Sequence, residues 1–164
     1  GEIPVQAIDR PVVQPKLVER PRLAGFLADE IKAGRIAVED AVDRSVVTIR
    51  GDELFASGSA SIVDNFQPLM LRIADAIRKV KGQVRVTGHS DNRPIATLRF
   101  PSNWALSEAR ATSVLQILSA KTGKPERFSA EGRSDTEPLA SNATTEGRAR
   151  NRRVEITVLA EGVE

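Results

Sequence analysis

Short runs in which every second residue is apolar alternate along this chain with longer runs whose apolar residues recur every three or four positions. That alternation leaves few architectures open. A period of two puts side chains on opposite faces of a strand in turn, and a period of 3.6 gathers them on one face of a helix. Val84 and Val86, and later Val154, Ile156 and Val158, have the first period. Leu69, Ile73, Ile77 and Val80 have the second, as do Ala111, Val114, Leu115 and Leu118. Strands interleaved with helices predict an α/β (α+β) domain, with helices packed on one face of a mixed β-sheet.

In chain order, the spacing predicts a helix over 23–33, strands over 35–42 and 45–50, and a short extended segment at 59–62. A helix from 64 or 65 to 80, a strand at 83–87 and a polar loop at 88–101 follow. A helix from 103 to about 120, a strand at 127–131, a short helix at 145–151 and a strand at 153–159 complete the set. Asp64 or Asn65 is expected to cap one long helix and Asn103 the other, with Trp104 in the buried stripe of the latter. Four of the nine prolines stand at positions 4, 11, 15 and 21. Proline fixes φ and removes a donor, so residues 1–21 read as an extended linker or arm, and 22–164 as the folded domain with an N-terminal extension. The chain starts at Gly1 rather than Met and is expected to be part of a longer protein. None of its apolar runs is long enough to cross a bilayer.

Composition removes several function classes. With 24 basic and 22 acidic residues the net charge is +2, too balanced for a nucleic-acid or membrane-surface partner by bulk electrostatics. Cysteine is absent, which excludes disulfides, thiolate metal sites and a cysteine nucleophile. A catalytic zinc needs about three ligands, usually with histidine among them, and this chain has one histidine; no metal or other cofactor is expected. His89-Ser90-Asp91 spells a hydrolase triad, but consecutive residues near a strand end point apart, whereas a triad needs them in a hydrogen-bonded line. His89 is expected to be packed or hydrogen-bonded below a loop. No carboxylate pair stands out for glycoside hydrolysis. Arg148, Arg150, Arg152 and Arg153 are flanked by Glu146 and Glu155, and aromatics are 4% of the chain. That cluster reads as a solvated helix end, with one arginine lending a hand in a site. Phe100 is expected to brace its loop.

Two stretches carry chemistry. One runs Val86-Thr87-Gly88-His89-Ser90-Asp91-Asn92 and then Phe100-Pro101-Ser102-Asn103-Trp104-Ala105-Leu106-Ser107-Glu108-Ala109-Arg110-Ala111. The other is Glu146-Gly147-Arg148-Ala149-Arg150-Asn151-Arg152-Arg153-Val154-Glu155. Asp91 falls just past a strand end, and Gly88 lets a backbone approach closely. Asn103 and Arg110 are two helical turns apart and share a face. If that face lies over the strand end, an anion, an amide and a guanidinium converge on a site fit for a small zwitterion. On chemistry alone, a structural Asp91–Arg110 salt bridge is the plainer reading.

These stretches resemble the signature of the OmpA-like C-terminal domain family, from roughly Val47 to Val158. The resemblance implies an OmpA-like sandwich that binds the diaminopimelate of a peptidoglycan stem peptide without cleaving it. It places ligand contacts on Asp91, Asn103 and Arg110, lines the same loop with Thr87, Gly88 and Asn92, and makes Asn151 and Arg152 weaker candidates. The long loop Asn92–Phe100 narrows the resemblance to two inner-membrane groups, the TssL/ImpK (DotU-type) proteins of type VI secretion and the flagellar stator protein MotB. Phe26 to Ile31 and Asp43 to Gly58 are similar to the first. The implied setting is the periplasmic part of an inner-membrane protein, with its cytoplasmic domain and membrane helix before Gly1. The implied partners are peptidoglycan and other subunits of a secretion complex, with homo-oligomerisation left open. A protein–protein module with an inactive ligand site is the alternative.

Overall fold

The computed structural model describes residues 20–163, so the expected arm lies outside the described residues except for Arg20 and Pro21. In chain order the elements are α1 (Ala28–Lys32), β1 (Ala37–Asp40), β2 (Arg44–Arg50), α2 (Gly51–Leu54), α3 (Gln67–Arg78), β3 (Val84–His89), α4 (Asn103–Thr122), β4 (Phe128–Gly132), α5 (Thr145–Asn151) and β5 (Arg153–Leu159). The strands form one mixed sheet in the order β1-β2-β5-β3-β4. Only β3 and β4 are parallel, joined by α4, as a parallel pair requires a crossover. The last strand thus fills the middle of the sheet, antiparallel to β2 and β3.

Ile156 sits opposite Val47 on one side and Val86 on the other, a row of branched aliphatics across three strands. With Ile49, Val84, Val154 and Val158 they floor the core; Leu69, Met70, Ile73 and Ile77 of α3 and Ala111, Val114 and Leu118 of α4 roof it. Each fully buried aliphatic contributes about 1.5–3 kcal/mol relative to exposure. The predicted fold, helices on one face of a mixed sheet, is the one observed.

Two glycines decide where α4 sits. Gly88 and Gly132 are partners across the parallel ladder. A Cβ on Gly88 would lie 2.0 Å from Ser107 O, and one on Gly132 would lie 2.5 Å from Glu108 N. The helix backbone therefore rests directly on the C-terminal ends of β3 and β4. Its first turn overhangs the strands, which is why Trp104 is 53% exposed and not in the buried stripe as expected.

Other boundaries moved for local reasons. Ser102, not Asn103, caps α4: its Oγ accepts from Ala105 N at 3.1 Å. Neither Asp64 nor Asn65 caps α3 through a side chain. They belong to a 3-10 turn, Asp64–Phe66, and Pro68 stands in the first turn of α3, where a missing N–H is harmless. Segment 59–62 forms no strand, only the bridge Phe55↔Ile62. The first helix shortens to α1, after a turn clasped by Asp40, whose carboxylate accepts from Leu23 N (3.0 Å), Ala24 N (3.3 Å) and Ser45 Oγ (2.7 Å). Arg127, expected in a strand, instead donates to the carbonyls of Ile77, Val80 and Gly82 (3.0–3.1 Å), satisfying the end of α3.

Candidate functional site

A cavity of about 550 Å³ opens over the C-terminal end of β3. Four segments wall it: Ser90 and Asp91 after β3, Arg93 to Ile95 in the long loop, Asn103, Leu106 and Arg110 on α4, and Asp52 with Phe55 to Gly58 after β2; Arg152 closes the remaining side. The seating of α4 on Gly88 positions this face, because Arg110 lies one turn beyond Ser107. Asp91, Asn103 and Arg110 are thus brought to one cavity, together with Arg152.

The predicted Asp91–Arg110 salt bridge does not form. Asp91 Oδ2 instead accepts from Arg152 Nη1 at 2.6 Å, and Oδ1 from Arg93 N at 3.0 Å. Arg152 also grips Asp52 with two parallel bonds, Nε to Oδ1 at 2.8 Å and Nη2 to Oδ2 at 2.7 Å. This paired geometry is the strong form of guanidinium–carboxylate contact. The hydrogen bond from Arg152 holds the Asp52 carboxyl below the usual carboxylate range, and the same bond raises the Arg152 pKa.

Arg110 is 8% exposed. Its Nε donates to Ser59 O at 2.8 Å and its Nη2 to Ala56 O at 3.3 Å, while the guanidinium lies over the Phe55 ring, 4.8 Å from its centroid. Burial lowers its pKa, but guanidinium stays charged in proteins. Its Nη1 makes no hydrogen bond among the described residues. Asn103 turns its Nδ2 to Arg93 O at 2.8 Å, pinning the long loop to α4. Phe100 is buried with Ala60 and Leu106 and braces the same loop, so it is not free to stack on a sugar. Two carboxylates, Asp52 and Asp91, and three arginines, Arg93, Arg110 and Arg152, line one cavity, a mixture of both signs that suits a zwitterion.

The remaining candidates lie elsewhere. Thr87 and Gly88 are buried in β3 beneath the site, and Asn92 is exposed and does not line the cavity. Asn151, fully buried, accepts from Leu139 N (2.7 Å) and Ala140 N (3.0 Å) and donates to Ala140 O and Asn142 Oδ1 (both 2.9 Å). It clamps a loop and does not line the cavity. His89 is buried below the site as expected, with Nε2 3.3 Å from Glu155 Oε2, but neither ring nitrogen makes a hydrogen bond.

Sequence reasoning missed Asp52, Phe55 and the 56–59 turn. The signal was register: Arg50 pairs with Arg153, so Asp52 falls beside Arg152 once β2 and β5 are aligned. Among the described residues no cluster of His, Asp or Glu is placed to hold a metal ion, and no helix is long and apolar enough to cross a membrane.

Helices on one face of a mixed sheet with a cavity at the strand ends define the architecture, and residues 54–152 match the model of the OmpA family, to which this chain belongs. The chain is similar to the solved structure of the cell wall anchor of the T6SS from Pseudomonas aeruginosa. The two share 79% identity over 87% of this chain and 100% of that one, with a TM-score of 0.84. Among curated relatives, YtxE of Bacillus subtilis (strain 168) is 39% identical over 79% of this chain and 54% of its own. Motility protein B of the same organism is 33% identical over 84% of this chain and 53% of its own. The chain thus spans about half the length of the curated relatives it matches.

Proposed function

We propose that this domain binds the diaminopimelate of a peptidoglycan stem peptide, without cleaving it. In doing so it anchors an inner-membrane complex, that of type VI secretion, to the cell wall from the periplasmic side. The observation that carries this reading is the cavity itself, which Asp91 and Arg110, of opposite charge, line together with Asn103. The diaminopimelate ammonium meets Asp91, in exchange for or beside Arg152, and the ligand carboxylate meets Nη1 of Arg110. Each charge-assisted contact is worth roughly 1.5–3 kcal/mol, so one domain binds weakly and many copies in an assembly do the anchoring. The T6SS anchor at 79% identity supports the secretion setting over a flagellar stator, the second reading, which rests on Motility protein B at 33%.

Co-sedimentation with purified diaminopimelate-type sacculi tests the proposal. Wild type is expected in the pellet, with no muropeptides released. Asp91→Ala and Arg110→Ala, shown to be folded by circular dichroism, are expected in the supernatant. Wild type in the supernatant, or both variants pelleting like wild type, would overturn it.

A further inference from the structure

A second cavity, of about 350 Å³, shares no lining residue with the first. It opens on the helix-free face of the sheet. Arg50 and Arg153 line it and alternate with Ile49 and Val154, which point into the core. Arg35 and Arg150 complete a set of four guanidiniums, and no acidic side chain lines the groove.

Two of the four are fixed. Arg35 lies over the Phe66 ring at 4.8 Å, and Arg153, 3% exposed, donates to Glu155 Oε2 at 2.9 Å and Glu137 O at 2.9 Å. The other two, Arg50 and Arg150, are exposed and make no hydrogen bond or ion pair among the described residues. Asp52 feels the charge of Arg50, but both its oxygens are already held by Arg152. Like charges gathered in so small a space repel one another, and an anion relieves them. The rest of the lining is apolar: Ile36 at the base, and Leu139, 52% exposed, at the rim. An inorganic oxyanion or a sugar–phosphate polymer has no use for an exposed leucine, whereas a peptide does.

We propose that this groove is a docking site for an acidic segment of a partner protein. Two or more of its carboxylates engage Arg50 and Arg150, and an apolar side chain between them lies on Leu139 and Ile36. Arginine clusters recognise acidic motifs through the match of planar fork to carboxylate. The groove and the first cavity can be occupied together, so one domain would hold a wall ligand and a protein partner at once. This inference does not depend on the wall-binding reading.

Fluorescence anisotropy with a fluorescein-labelled hexapeptide of alternating glutamate and leucine tests it. The peptide is expected to bind wild type and Asp91→Ala alike. Binding should weaken about tenfold or more in the Arg50→Glu/Arg150→Glu double variant, and for the glutamine–leucine peptide, as two charge-assisted contacts are lost. Both positions are exposed, so the fold should tolerate the change. A lysine–leucine peptide is expected to bind the double variant in place of wild type. No binding of the glutamate peptide to wild type, or equal binding to the double variant, would overturn the proposal. So would displacement by inorganic pyrophosphate at concentrations where acetate has no effect, which would assign the groove to a phosphate-bearing polymer.

Discussion

Asn151 holds the loop 139–142 through four hydrogen bonds, and its neighbour Arg152 holds Asp52 and Asp91 on the other side of the chain. Asn151→Ala leaves several buried backbone groups without partners, so it should cost about 2–4 kcal/mol in urea unfolding. At a temperature where the variant is folded, its sacculus binding should equal wild type; a selective loss of binding would put Asn151 back in the site. The sequence motif alone made both residues candidates and could not separate them, because which side of the chain each side chain takes depends on the turn from α5 into β5. Asp52 was illegible for a different reason. It lies 100 positions from Arg152, and nothing local marks a residue that is brought to the cavity through a long-range strand pairing.

At the scale of elements, the periodicity was a good guide wherever one face is buried. Helix α5 and strand β5 have the boundaries expected from the sequence, because a cap, Thr144, and a strict alternation of valine and isoleucine mark them. The expected close approach at Gly88 is also present, although only the structure shows that α4 is what approaches. Gly88→Ala should push Ser107 and the first turns of α4 off the sheet. We expect a loss of more than about 3 kcal/mol, read as a lowered urea midpoint, with sacculus binding falling in step because Arg110 moves with the helix. A folded Gly88→Ala protein with an unchanged midpoint would mean that the helix does not rest on the strand ends in solution. The start of α4 was misread because Ser102 and Asn103 are both good caps, and only the backbone path, extended at Ser102, chooses between them.

For the molecule as a whole, acid is the condition that should unmake it. Among the described residues four carboxyls are held below their ordinary values: Asp40 by Ser45 and the Leu23 and Ala24 amides against the opposing effect of burial, Asp43 by Arg44, Asp52 by Arg152, and Glu155 by the adjacent His89 ring and Arg153, again against burial. A group with a lowered folded pKa binds fewer protons when folded. Its stabilisation is complete above the unfolded value, 3.8 for aspartate and 4.5 for glutamate, and is lost as pH falls through the lower folded one. Urea stability should therefore be flat near neutrality and drop below about pH 4, more gently in Asp40→Asn. An Asp40→Asn protein with the wild-type acid slope would mean that the clasp on the N-terminal turn contributes nothing. The order β1-β2-β5-β3-β4 has one more consequence. Within the sheet the hairpin β1–β2 and the β3–α4–β4 unit are joined only through β5, so neither half has its sheet neighbour until residues 153–159 are present. A chain threaded through a membrane from its N-terminus would stay two open half-sheets until residues 153–159 emerged. It would then close as one unit, with every strand of the sheet across before the fold could resist being pulled.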